Sequence, residues 1–147
     1  MPRRNLLDLN VLIALADPEH IHRQKAERWF LSAGKEDWGI CPLTEAGFIR
    51  VVTNPAMRPA AVTRERAIAI LQALMAHPGC RYWPITNAES WVALTAPFAS
   101  RISGHHQVAD AYLLGLAIKN DGVLVTFDRD LKYLAGPDYA DNLTILA

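Results

Sequence analysis

Apolar and polar positions along this chain fall into blocks, with short apolar runs followed by longer stretches that carry a helical stripe. Residues 4–8, "RNLLD", predict a first strand. Residues 11–16 and then 22–33 predict helices, separated by the breaker "DPEH" at 17–20. "WGIC" at 38–41 predicts a second strand, and "TEAGFIRVVT" at 44–53 a helix stopped by "NP" at 54–55. Over 63–76 the apolar side chains Ala67, Ile68, Leu71, Leu74 and Met75 recur at helical spacing until "HPG" at 77–79. "RYWPI" at 81–85 predicts a strand that Pro84 assigns to an edge or a strand end. Asn87 is placed to cap a helix reaching about Ala96. Residues 107–120 carry the stripe Ala109, Tyr112, Leu113, Leu116 and Ala117, closed by "DG" at 121–122. "VLVTF" at 123–127 is a continuous apolar run of the kind buried in parallel sheets, and "LTIL" at 143–146 predicts a last strand.

Strands alternating with helices define an α/β class with a mainly parallel sheet flanked by helices. In that arrangement every strand points its C-terminal end at one sheet edge, and ligand sites of open α/β sheets gather there.

Composition adds limits. A chain of 147 residues with 51% hydrophobic and 20% charged content has the makings of one packed domain over 1–147. Cys41 and Cys80 form no CxxC pair, so they are expected to be small buried hydrophobes in a reducing compartment. The opening "MPRRNLLDLNVLIALA" resembles a signal peptide, but Asp8 and Asn10 interrupt its apolar part. No segment reaches membrane-spanning length, and the expected location is cytoplasmic. Fifteen basic and fifteen acidic residues cancel. Setting four clustered acids aside leaves 15 cations against 11 acids, +4, enough for a basic rim.

Four acids map to the strand-end edge. Asp8 ends the first strand and Asp128 follows "VLVTF". Glu45 and Asp110 lie in the first turns of helices that begin there. Each alone reads equally well as a helix cap or a dipole partner. Together they raise a problem. Two like charges about 4 Å apart repel by roughly 4 kcal/mol at an effective dielectric of 20. Such a cluster needs protonation or a bound cation, and hard oxygen donors suit Mg²⁺ or Mn²⁺.

The stretches "LLDLNVLIAL", "LTEAGFIRVVTNP" at 43–55 and "HHQVADAYLLGLAIKNDGVLVTFDRDL" at 105–131 resemble, in this order, the PIN-domain ribonucleases, and more narrowly the VapC-type toxins of bacterial toxin–antitoxin pairs. The resemblance implies a three-layer α/β/α PIN-like domain. It implies metal-dependent hydrolysis of RNA, with the family's acids falling on Asp8, Glu45, Asp110 and Asp128 and its hydroxyl residue on Thr126. Asp128 is selected over Asp130 by the strand–hydroxyl–any–acid order. On this reading Asp8 and Asp110 are direct or near-direct ligands of Mg²⁺, with Mn²⁺ an alternative. Asp128 holds the metal through its water or a second ion. Glu45 ligates a second ion or orients water. Thr126 and Asn10 fix carboxylate rotamers. Arg50, Arg58, Arg64, Arg101, Arg129 and Lys132 are candidates for contact with RNA phosphates, Arg50 and Arg129 foremost, though each alone reads as a solvated surface charge and Arg50 equally as a partner of a site acid. Implied partners are an RNA substrate, a VapB-like antitoxin and a second copy of the chain in a homodimer.

Three rivals share features of this pattern. A haloacid-dehalogenase-like phosphatase also places an Asp after its first strand, but wants a second Asp two residues on, where this chain has Asn10. A receiver domain needs paired acids after that strand and a further one at the "WGIC" end. A catalytically silent PIN fold used for binding would not need the acids intact.

Overall fold

In the computed structural model, which describes residues 3–57, 61–84 and 90–147, five short strands form one all-parallel sheet. The strands are β1 (Asn5–Leu7), β2 (Trp38–Ile40), β3 (Cys80–Tyr82), β4 (Val123–Thr126) and β5 (Leu143–Ile145), in the spatial order β3-β2-β1-β4-β5. The chain first builds outward from β1 through β2 to β3, then crosses to β4 on the other side of β1. The order therefore reverses between β1 and β4, and it is outside such a reversal that open sheets leave a crevice.

Alternation along the central strands decides which layer each side chain joins. Leu6 and Leu124 face one side, packed with Leu94, Phe98, Leu113, Leu114, Leu116, Leu131 and Leu134. Leu7 and Val125 face the other, packed with Val11, Leu12, Phe48, Val52 and Leu71. The first layer comes from α5 (Trp91–Thr95), α6 (Val108–Lys119) and α7 (Leu131–Ala135). The second comes from α1 (Leu9–Ala16), α3 (Pro42–Val52) and α4 (Arg64–Met75). The result is the three-layer α/β/α arrangement. Each fully buried leucine contributes on the order of 2 kcal/mol, so the two cores rather than helix propensity hold the strand ends in place.

Several boundaries differ from expectation for local reasons. The first helix starts at Leu9, because Asp8 itself caps it. The helix expected over 22–33 is α2 (Arg23–Trp29) running into a wider π-helical turn, Phe30–Gly34, where the absence of a side chain on Gly34 leaves room for the Trp29 ring. The third helix begins at Pro42, two residues early. Pro42 suits a first helical position, and the Thr44 hydroxyl accepts the Cys41 N–H at 3.0 Å. A 3-10 turn, His105–Gln107, precedes α6. The left-handed residue closing α6 is Asp121 (φ 50°), while Gly122 donates back to the Ala117 carbonyl at 2.7 Å. Strand β3 lies on the edge, as Pro84 requires. Residues 85 and 87 and Arg58 lie outside the described residues, but the helix expected from Asn87 begins only at Trp91, where the Ser90 hydroxyl caps it by accepting the Ala93 N–H at 3.1 Å. Helix α7 and the 3-10 segment Pro137–Asn142 were not anticipated from the sequence. No helix among the described residues is long and apolar enough to cross a membrane. Both cysteines are free; Cys41 is buried and Cys80 half-buried.

Candidate metal centre at the β1–β4 edge

Strand β1 stops at Leu7 and α1 starts at Leu9, so Asp8 is the single residue between them. Its backbone is extended and its side chain caps the helix. One carboxylate oxygen accepts the Leu9 N–H at 2.7 Å. The other accepts the Thr126 hydroxyl, also at 2.7 Å, from the last residue of the neighbouring strand. The side chain is 5% exposed.

Thr126 is the hinge of this network. Its hydroxyl donates to Asp8, accepts the Asp128 N–H at 3.0 Å and accepts the Asn10 amide at 3.4 Å. That uses its one donor and both of its acceptor positions. Asn10 in turn accepts the Phe127 N–H at 3.3 Å. Asp128 accepts the Asp130 N–H at 2.9 Å, which folds the chain into the turn before α7. Three residues expected to act together, Asp8, Thr126 and Asp128, are thus joined across 118 positions of sequence, and Asn10 braces the joint.

Asp110 enters from α6, half-buried, in the first turn of the helix. Burial pushes its carboxyl up to about 7, and the negative charges of Asp8 and Asp128 push in the same direction. Asp8 is also raised, first by burial, with Asp128 adding to it; the hydrogen bonds from Thr126 and Leu9 oppose the rise. The three aspartates therefore feel one another. Among the described residues, the ion pairs are Arg3–Asp121, Arg23–Glu27 and Arg64–Glu65, and none of them reaches these acids.

Glu45 sits at the same edge but in different company. The nearby Glu45 carboxylate, as a hydrogen-bond acceptor for the phenol and by its charge, together with burial, pushes Tyr82 up to about 12. Glu45 also contributes to raising the Cys80 thiol, after burial. It does not figure in the shifts of Asp8 or Asp110. Tyr82, half-exposed at the end of β3, is a site neighbour the sequence reading missed. The alternation of "RYW" does turn it away from the buried Trp83, but nothing in the sequence names its partner. His22 stacks on Phe127 with ring centres 4.7 Å apart, a packing role. Arg50 lies exposed in the last turn of α3, and Arg129 is exposed one residue after Asp128.

Among the described residues, no set of three or more His, Cys, Asp or Glu closes into a ready ion cage. The donor set nonetheless fits a hard divalent cation. It consists of carboxylates, two of which are raised by burial and by neighbouring negative charge, and among the described residues no arginine or lysine forms an ion pair with them. Mg²⁺ in particular is usually held by one or two carboxylates and keeps several waters, which an open arrangement permits.

The family model of the PIN domain matches residues 6–137 of this chain. Among known proteins, ribonuclease VapC38 of Mycobacterium tuberculosis (strain ATCC 25618 / H37Rv) is 43% identical over 130 residues, covering 88% of this chain and 89% of the relative. Ribonuclease VapC39 of the same strain is 38% identical over 126 residues, covering 86% and 89%. Among solved structures, VapBC2 from Rickettsia felis bound to a DNA fragment from its promoter aligns over 97% of this chain and 98% of its own, with a TM-score of 0.69 at 14% identity. FitAB bound to the IR36 DNA fragment aligns over 96% and 94%, with a TM-score of 0.63 at 21% identity. At those identities the structural likeness speaks for the fold.

Proposed function

We infer the function from a plain premise: this chain belongs to the PIN-domain family, and within it to the VapC ribonucleases. Residues 1–147 form a single PIN-like nuclease domain that hydrolyses phosphodiester bonds within RNA and acts as the toxin of a toxin–antitoxin pair. The observation that carries this reading is the convergence of three acids: the Thr126 hydroxyl links Asp8 to the Asp128 backbone, and the charges of Asp8 and Asp128 add to the burial that raises Asp110.

Asp8, Asp110 and Asp128 are the residues that would hold a divalent ion, Mg²⁺ with Mn²⁺ as an alternative. When bound, the ion supplies the positive charge that lets a phosphodiester approach an acidic pit and lets water attack it at neutral pH. The remaining work belongs to the chain. Thr126 and the Leu9 N–H hold the Asp8 carboxylate in one rotamer, and Asn10 holds Thr126. Asp110, with its pKa near 7, is readily deprotonated to receive a cation. Glu45, steadied by Tyr82, orients water or a second ion from the β2–β3 side of the edge.

A haloacid-dehalogenase-like phosphatase would need an acid where Asn10 stands, and that amide is engaged with Thr126 and the Phe127 backbone. The neighbours from Rickettsia felis and Salmonella typhimurium are VapBC complexes on DNA. That likeness supports a VapB-like antitoxin as this chain's partner; the homodimer and the cytoplasmic location implied by the resemblance complete the proposal.

The deciding experiment is incubation of the purified chain with total RNA, with and without Mg²⁺ or Mn²⁺. Cleavage only with the ion, lost in Asp8→Asn and Asp110→Asn variants that still fold, supports the reading. Metal-independent cutting, or full activity in both variants, overturns it.

A further inference from the structure

A groove of about 1100 Å³ is lined by none of the four candidate acids but includes the residues that directly follow Asp128 in the chain. Arg129, Asp130, Lys132 and Tyr133, from the segment that begins one residue after Asp128, line it. So do Arg101, Ser103 and Gln107, from the segment that ends three residues before Asp110. Both loops that lead to the aspartates therefore line the same groove. Its apolar lining includes Leu143 and Ile145 on the edge strand β5.

Charge in the groove departs from that of the chain as a whole. The chain is neutral, yet the groove carries three cations against the single carboxylate of Asp130. Among the described residues none of the three cations takes part in an ion pair. One of them is built in. The half-buried Arg101 donates to the Ala135 carbonyl at 3.1 Å and packs over Gly136, whose φ of +63° and missing side chain make room for the guanidinium. The other two, Arg129 and Lys132, are exposed three residues apart, where a helical turn brings side chains to one face. Beside them Tyr133 is 72% exposed, a large ring with no core to fill.

We propose that this groove is the track along which single-stranded RNA is held as it enters or leaves the acidic edge. The proposal rests on the ribonuclease reading and extends it to a specific surface. Single strands are gripped by a cationic groove that follows the phosphates together with aromatic rings that stack bases. Arg101, Arg129 and Lys132 supply the first and Tyr133 the second. An acid cluster repels a polyanion, so a basic lane leading to it also fixes the direction of approach. The occupant is RNA rather than a peptide strand added to β5, because a peptide on a sheet edge draws on backbone groups and has no need of three cations.

The test uses the full chain and a fluorescein-labelled single-stranded oligoribonucleotide, with anisotropy read in EDTA across a salt series. In the Arg129→Gln/Lys132→Gln variant, affinity falls about tenfold and the slope of log affinity against log salt drops by about 1.4, or 0.7 per lost phosphate contact. Tyr133→Ala weakens binding about fivefold with an unchanged salt slope. With Mg²⁺ present, KM for RNA rises in these variants more than kcat falls. Arg28→Gln and Arg66→Gln, exposed on α2 and α4, serve as controls and leave both readouts alone. All three groove side chains are exposed, so the variants fold, and a thermal melt checks that they do. Wild-type cleavage together with unaltered RNA binding in the variants overturns the groove and leaves the nuclease standing. A wild type that neither binds nor cleaves RNA removes both. Unaltered RNA binding with a changed sedimentation coefficient or lost antitoxin capture assigns the groove to a protein and overturns the proposal.

Discussion

At the ends of β1 and β4 each polar group is tied to another: Asp8 to Thr126, Thr126 to Asn10 and the Asp128 backbone, and Asp110 to both acids through their charge. At the ends of β2 and β3, along the same edge, Glu45 raises a half-exposed tyrosine and a cysteine, and among the described residues no hydrogen bond joins it to the Asp8–Thr126–Asp128 network. Sharing a sheet edge therefore does not make four acids equal. Adjacent strands at the point where strand order reverses bring side chains within hydrogen-bond reach, whereas a helix start beyond β2 brings its carboxylate only to the neighbourhood.

That contrast ranks the expected effects of substitution. Largest is the loss of RNA cleavage in Asp8→Asn or Asp110→Asn, at least about a hundredfold in kcat/KM measured with Mg²⁺. Thr126→Val comes next, removing one donor and two acceptor contacts at once. We expect a loss of 10- to 100-fold, roughly the cost of deleting a residue that orients metal ligands. Glu45→Gln is expected to cost about tenfold, the lower end of the same range. A Glu45→Gln loss equal to that of Asp8→Asn would erase the distinction between the two regions.

The metal-free fold offers a separate check. Asp110 has a folded pKa of about 7, above its ordinary value of 3.8, so between those values the folded state holds a proton the unfolded chain has released. Asp110 therefore lowers stability progressively as pH rises from about 4 to about 7, and the effect levels off above that. Thermal melts of the apo protein should fall over that window, and Asp110→Asn should flatten the fall while leaving the melt at pH 4 nearly unchanged. The smallest expected effect is that of Tyr82→Phe, a change in cleavage of about twofold at most, since Glu45 keeps its place on α3 without it.

Much of this was legible beforehand, and the reason is topological. "LLD" before an apolar helix and "VTFD" after an apolar strand both announce strand ends, and parallel strands share one edge. Asp8, Thr126 and Asp128 could be placed together because each sits within two residues of such an end. Asp110 and Glu45 sit in helical first turns, whose position along the edge depends on how far the preceding loop travels, and that length is not encoded in periodicity. Helix α7 escaped notice because five residues with Leu131, Leu134 and Ala135 inward make too short a stripe to distinguish from a loop. The groove escaped for the same reason, since that helix helps to line it. Arg101, Arg129 and Lys132 could each be named as an RNA-phosphate candidate, but nothing in the sequence sets them apart from Arg50 or Arg64 or brings Tyr133 in beside them; the shared groove does that.

The most direct test of the central claim is the binding of Mn²⁺ to the purified chain, followed by electron paramagnetic resonance as free ion disappears. We expect saturable binding in the wild type, near-complete loss in Asp8→Asn/Asp110→Asn, and partial retention in Glu45→Gln. Undiminished binding in the double variant would show that these aspartates do not hold the ion, and the account of the β1–β4 edge would be wrong.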